Sequence, residues 1–339
     1  MSDDGAKVAS GRKFSWPVRA FWAALWLLIG VAVAWAATFI AWGEVWAALR
    51  KADPVWVGLA ILANLCGYPF WAQALRLYVP SGEPRPYWTI MGVLAISSAA
   101  IQCLSIFAGA ATAVVLLVRR VGLSTGAMIS VLTLEQLTTG IVKALIVGVA
   151  VLSASAPFSL KAAGATLLAG VAGAFLALVW AAHSGAGLAR LGLRHSGWFG
   201  RALTKFADWT AHLEALRHPL RYTTALLCVV ARRAAETIAI LCVQKASGLP
   251  VSVELALLII AAVSLATIIP GPPGNIGMYE AAVVLAYSWG GVGAETAVAA
   301  ALLQHFAFLA AAFTPGGLLL IFWRPQTRRP PPAPQRPAR

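Results

Sequence analysis

The residues of this chain that could do chemistry are ionizable side chains inside apolar runs. Arg232, Arg233 and Glu236 fall in the middle of the run 223–243, Glu135 and Lys143 in 128–152, and His305 beside Gln304 in 294–323. A charged side chain at the centre of a membrane helix costs about 2.5–3.5 kcal/mol on insertion scales, so three in one span cost about 8–10 kcal/mol unless they are paired or wetted. Glu236 follows Arg232 by four residues and Arg233 by three, both helical spacings that allow an ion pair. The other arginine then needs a further partner. Glu135 on a neighbouring helix would serve, and so would a lipid phosphate, which suits the guanidinium fork. Glu135 and Lys143 are eight positions apart and share a helix face. Two readings follow: an ion-pair lattice that holds the core, or an arginine that grips an anionic headgroup. His305 reads either as a hydrogen-bonded core residue or as a proton switch.

A second feature is the run Pro270-Gly271-Pro272-Pro273-Gly274-Asn275-Ile276-Gly277-Met278-Tyr279-Glu280. Its prolines stop an incoming helix, and its glycines permit positive φ and close backbone approach. A new helix is expected to start near 275–277, with unpaired N–H groups at membrane depth that suit a phosphate or a carboxylate. Glu280 in its first turn either offsets the helix dipole or supplies a proton or cation site. No HExxH, CxxC or Walker pattern occurs. Cys66, Cys103, Cys228 and Cys242 lie in apolar segments without metal-ligand spacing. His183, His195, His212 and His218 have only Asp208 and Glu214 as acidic neighbours. No catalytic residue, metal or cofactor is therefore assigned, and the chain is expected not to be an enzyme.

The elements that position these residues follow from composition. The chain has 339 residues, of which 60% are hydrophobic and 11% charged, against about 45–50% and 25% in soluble domains. A soluble fold is excluded. Apolar runs cover 20–42, 54–75, 87–118, 128–152, 162–182, 223–243, 253–289 and 294–323. Their length reads as helical spans, not as strands of a barrel. The runs 87–118 and 253–289 are too long for one span and are interrupted at 105–112 and 270–277, which predicts hairpins whose irregular backbone must be buried in protein or line a wet cavity.

The net charge of +14 does not indicate nucleic acid, because 19 of the 26 lysines and arginines fall in five stretches between spans, where cytoplasmic loops concentrate them. Placing all five inside requires both long runs to be re-entrant, the first opening inward and the second outward. The expected fold is an all-α polytopic membrane protein with six full spans, two oppositely inserted re-entrant hairpins and both termini cytoplasmic. A shift of 169 aligns 114–137 with 283–306 without a gap, and the matched halves, about 54–152 and 223–323, would run in opposite directions. An inverted repeat is expected, an arrangement that places transporter sites at the midplane. Residues 1–19 read as a cytoplasmic arm, 20–323 as a single transmembrane domain, 183–221 as a basic amphipathic segment suited to an anionic leaflet, and 324–339 as a disordered Pro/Arg tail.

The Pro-Gly-x-x-Gly-x-x-Gly-x-x-Glu run followed by an apolar helix resembles the membrane domain of lysylphosphatidylglycerol synthases and their stand-alone, flippase-like relatives. Gly109, Arg119-Arg120 and Gly122-Leu123-Ser124 match the family's first-half region, while Ala110 and Ala113 stand where the family carries an acid and a base. Glu135 and Glu280 carry over. The synthase's soluble catalytic domain has no counterpart after Trp323. The resemblance implies a flippase or transporter of an anionic or lipid-linked substrate in a bacterial-type inner membrane. Its expected partners are membrane lipids with anionic headgroups. Two alternatives are a non-catalytic membrane partner of a lipid-modifying enzyme and an intramembrane lipid-modifying enzyme.

Overall fold

The computed structural model describes residues 38, 40–104, 106–153, 197–198, 200, 214–267 and 271–322, together with most of 165–180. The arm 1–19, nearly all of the first apolar run, Pro270, most of the segment 183–221 and the tail lie outside the described residues. Every regular element among those described is helical. Three helices are long and apolar enough to cross a membrane: Pro54–Tyr78, Thr125–Ala150 and Ala294–Leu319.

After the amphipathic helix α1 (Trp42–Lys51), Asp53 accepts a hydrogen bond from Val55 N at 2.9 Å and Pro54 occupies the first turn, so α2 (Pro54–Tyr78) begins with its donors satisfied. α2 packs along α6 (Pro219–Ala246), and their ends fix the direction. Asp53 N donates to Ala246 O at 3.0 Å at one end. At the other, Arg221 donates to the carbonyls of Leu77 and Val79. The pair is antiparallel. At the middle of their contact, a Cβ added to Gly67 would lie 3.5 Å from Arg232 Cγ.

The two long apolar runs each fold back on themselves. In the first, α3 (Tyr87–Cys103) and α4 (Ile106–Leu116) meet so closely that a Cβ on Gly109 would lie 1.9 Å from Ile101 Cγ1 and 2.9 Å from Ser97 O. In the second, α7 (Val253–Ala266) returns through an irregular turn into α8 (Met278–Trp289), and Gly290 closes against Leu255. The first break is shorter than the expected 105–112. Helix resumes at Ile106 because Ala and Gly there are small but not helix-stopping, and Thr112 satisfies its hydroxyl on Ala108 O at 2.8 Å.

The hairpin bases lie at opposite ends of the α2–α6 pair. Ile90, Leu117 and Val121 pack with Leu75 and Tyr78, whereas Ala256, Ala286 and Tyr287 pack with Ala60 and Val243. The tips meet between them: a Cβ on Gly274 would lie 3.4 Å from Gln102 O.

A 29-residue helix follows each hairpin, α5 (Thr125–Ser153) and α9 (Ala294–Phe322). Each is preceded by a glycine with positive φ, Gly122 at 86° and Gly291 at 77°. Thr125 and Ala294, like Gly122 and Gly291, are 169 positions apart. The long helices are exchanged. α5 packs on α7 of the second hairpin through Val147 and Ala150 against Ala261, and α9 packs on α3 of the first.

Small residues permit the α9–α3 contact, the usual basis of helix association in lipid. A Cβ on Gly316 would lie 2.7 Å from both Ala95 O and Ala99 Cβ. Gly316→Val is expected to cost about 1–3 kcal/mol by overpacking, seen as a lower thermal unfolding midpoint in detergent, whereas Gly317→Val, with open space around it, leaves the midpoint unchanged.

Candidate functional site

At the α2–α6 crossing, α2, α3, α6 and α9 enclose a cavity of about 170 Å³ whose lining includes Tyr68, Trp71, Gln102, Arg232, Glu236 and Phe308. Consecutive arginines on a helix point about 100° apart, so the two take different partners. Arg233 is buried and ion-paired to Glu236. Arg232 turns to the cavity and lays its guanidinium over the Trp71 ring, 3.8 Å from the centroid. Such a stack is worth about 2 kcal/mol when desolvated, but it supplies no negative charge. Among the described residues Arg232 has no ion pair within 4 Å.

Glu135 does not complete that pair. Its two oxygens accept from Trp71 Nε1 at 3.1 Å and Gln136 Nε2 at 3.0 Å. Trp71 therefore joins the two sides, with its ring face on the cation and its N–H on the acid. Lys143 is half-buried on α5 and has no ion pair among the described residues. Arg232, Arg233, Lys143, Glu135 and Glu236 act on one another electrostatically, and three bases against two acids leave an excess of one positive charge.

The second group lies at the hairpin tip. The backbone from Gly271 turns through Gly274 (φ 69°), Asn275 (φ 54°) and Gly277 (φ 87°) into α8. Glu280 Oε2 accepts from Gly277 N at 2.7 Å. The anion site expected at this helix start is thus filled by the chain's own carboxylate, because a residue three positions into the helix reaches back to its cap. The tip glycines do not line the cavity; Gly274 supports its wall through Gln102. Glu280 Oε1 meets His305 Nδ1 at 2.6 Å. Tyr279 stacks on His305 with centroids 4.4 Å apart and accepts from Gln304 Nε2 at 3.0 Å. It also stacks on Phe308 at 5.9 Å, and Phe308 lines the cavity.

The arginines, Glu236, Glu135, Glu280, His305 and Gln304 are thus gathered into two groups joined through α9. Sequence reasoning missed Trp71, Tyr68, Gln102 and Phe308. The available signal was an aromatic pair at a helical spacing inside an apolar run, Tyr68 and Trp71, three positions apart. No cluster of three or more metal-ligating side chains occurs among the described residues.

The family model described as "Lysylphosphatidylglycerol synthase TM region" matches residues 22–316. No significant match is found among curated proteins or solved structures.

Proposed function

Because the chain belongs to the lysylphosphatidylglycerol synthase transmembrane family, a family of membrane domains named for a lipid-modifying synthase, we propose that it is a non-enzymatic transporter or flippase that moves an anionic, lipid-linked substrate across a bacterial-type inner membrane. Arg232 carries the reading: a guanidinium that faces a cavity at the middle of two long helices, without an ion pair within 4 Å among the described residues. The excess positive charge of the surrounding cluster is the complement of a bound anion, and a phosphate oxygen accepts from a guanidinium in the strong, charge-assisted geometry.

In this proposal α3–α4 and α7–α8 are re-entrant hairpins inserted from opposite faces, and the two halves are an inverted repeat around the cavity. The contact of Gly274 with Gln102 is then the midplane seam that opens alternately to either side, with Gly271, Gly274, Gly277 and Glu280 as its gate. The equal 29-residue helices after each hairpin and their exchanged packing support this. Both termini are cytoplasmic in this arrangement.

The test is reconstitution of the full chain into vesicles of phosphatidylcholine and phosphatidylglycerol, each carrying a headgroup-reactive or fluorescent analogue. Faster equilibration of the anionic analogue between leaflets than in protein-free vesicles is the expected result. Equal rates with and without protein would overturn the reading.

A further inference from the structure

The Glu280–His305 pair has one atom that the fold leaves unused. His305 is 3% exposed, its Nδ1 is 2.6 Å from Glu280 Oε1, and its Nε2 is buried with no hydrogen-bond partner. An ionised carboxylate at that distance takes the Nδ1 proton in its hydrogen bond, which makes Nε2 the bare nitrogen of the neutral ring. A buried acceptor without a partner is costly unless it has a use.

Resting on the transport reading above, we propose that His305 Nε2 binds the coupling proton, so that the chain carries one proton with each anionic substrate. Proton uptake turns the pair from a net charge of −1 into a neutral imidazolium–carboxylate ion pair. The existing hydrogen bonds stay in place on proton uptake, since Glu280 already holds the opposite edge of the ring and the Gly277 N–H. The pair is mechanically tied to the cavity. Tyr279 stacks on both His305 and Phe308, whose ring centroids are 6.5 Å apart, and Phe308, one turn beyond His305 on α9, forms part of the cavity wall. Removing the local negative charge favours an anion beside Arg232, and by linkage the anion favours the proton to the same degree.

The charged and titratable groups of the elements around α9 are these. α8 brings Tyr279, Glu280 and Tyr287, α6 brings Arg221, Tyr222, Cys228, Arg232, Arg233, Glu236, Cys242 and Lys245, α2 brings Cys66, Tyr68, Arg76 and Tyr78, and α3 brings only Tyr87 and Cys103. Glu44 and Lys51 of α1 lie at the other end of α9, with Glu295. The acid in hydrogen-bond contact with the imidazole is Glu280.

Nitrogen-15 histidine spectra of the full chain in nanodiscs, with His305 assigned from His305→Gln, test the site without transport. The expected neutral form carries its proton on Nδ1 and gains a second proton on Nε2 as the pH falls. Glu280→Gln and the milder Glu280→Asp, both checked by thermal unfolding, should move that titration to lower pH. A proton on Nε2 at every pH, or no titration, would overturn the proposal.

The second arm imposes a gradient of one pH unit on the phosphatidylglycerol vesicles. One proton per monoanionic lipid gives about a tenfold leaflet asymmetry in the wild type and none in His305→Gln. If His305→Gln responds as the wild type does, the coupling is wrong. If the wild type moves no lipid with or without a gradient, the transport reading fails and the spectra decide the proton site alone.

Discussion

Arg232→Ala is expected to lower anionic-lipid translocation by about 10- to 100-fold while leaving the thermal midpoint unchanged or slightly raised. The two effects separate because of what Arg232 touches. A hydrogen bond to a charged group is worth about 1.5–3 kcal/mol, and each 1.36 kcal/mol is a factor of ten in rate, so losing the anion ligand accounts for the transport defect. The folded chain, in contrast, gains from Arg232 a stack on Trp71 and attraction to Glu135 and Glu236 without an ion pair to either, and a cation without an ion pair in low dielectric carries a desolvation cost that alanine removes. Arg232→Lys keeps the charge but not the planar fork or the stack, and should retain part of the rate. If Arg232 were one member of a structural lattice, Arg232→Ala would unfold the protein instead. Translocation rate and unfolding midpoint on the same preparation distinguish these outcomes. Wild-type transport in a stable Arg232→Ala protein would remove the arginine from the site.

The charged cluster was legible before any coordinates because polar groups inside apolar runs have no place to go but inward. Which arginine pairs with Glu236 was not legible, since helical geometry allows both the three- and four-residue spacings; the choice is made by Gly67 and Trp71 on α2, which give Arg232 a ring to lie on. The hairpins were readable from run length and from the prolines after Ala266. The first break is shorter than 105–112 because Gly109-Ala110-Ala111 contains nothing that must leave a helix; its glycine serves packing against Ile101, not a turn. Helix α1 is not legible in the sequence for the opposite reason. It is too short and too polar to span, and only its contact through Val45 with Val298 and Ala299 gives it a place. Trp71 is hidden among 14 tryptophans, many of which lie near the ends of apolar runs, where membrane tryptophans collect. The family, by contrast, was readable from eleven residues, and the family model matches 22–316.

Glu236→Ala is expected to destabilise the protein by about 3–5 kcal/mol, the cost of leaving one member of a buried pair behind. Arg233 is 9% exposed, its charge meets no other acid at hydrogen-bond distance among the described residues, and Arg232 is its neighbour in sequence. Removing the carboxylate therefore leaves two adjacent guanidiniums in the interior with Glu135 committed to Trp71 and Gln136. Low yield and a lower unfolding midpoint should follow. The paired replacement Arg233→Met with Glu236→Leu removes both charges with similar volume, and such exchanges are often neutral or stabilising. It should fold near the wild-type midpoint. Because the pair cancels, the excess positive charge at Arg232 survives the double replacement, so anionic-lipid translocation should persist in it although both singles lose it through misfolding. A Glu236→Ala protein within about 1 kcal/mol of wild type, measured by thermal or denaturant unfolding in the same detergent, would mean that Arg233 finds water or another partner. The excess charge would then not be confined to Arg232.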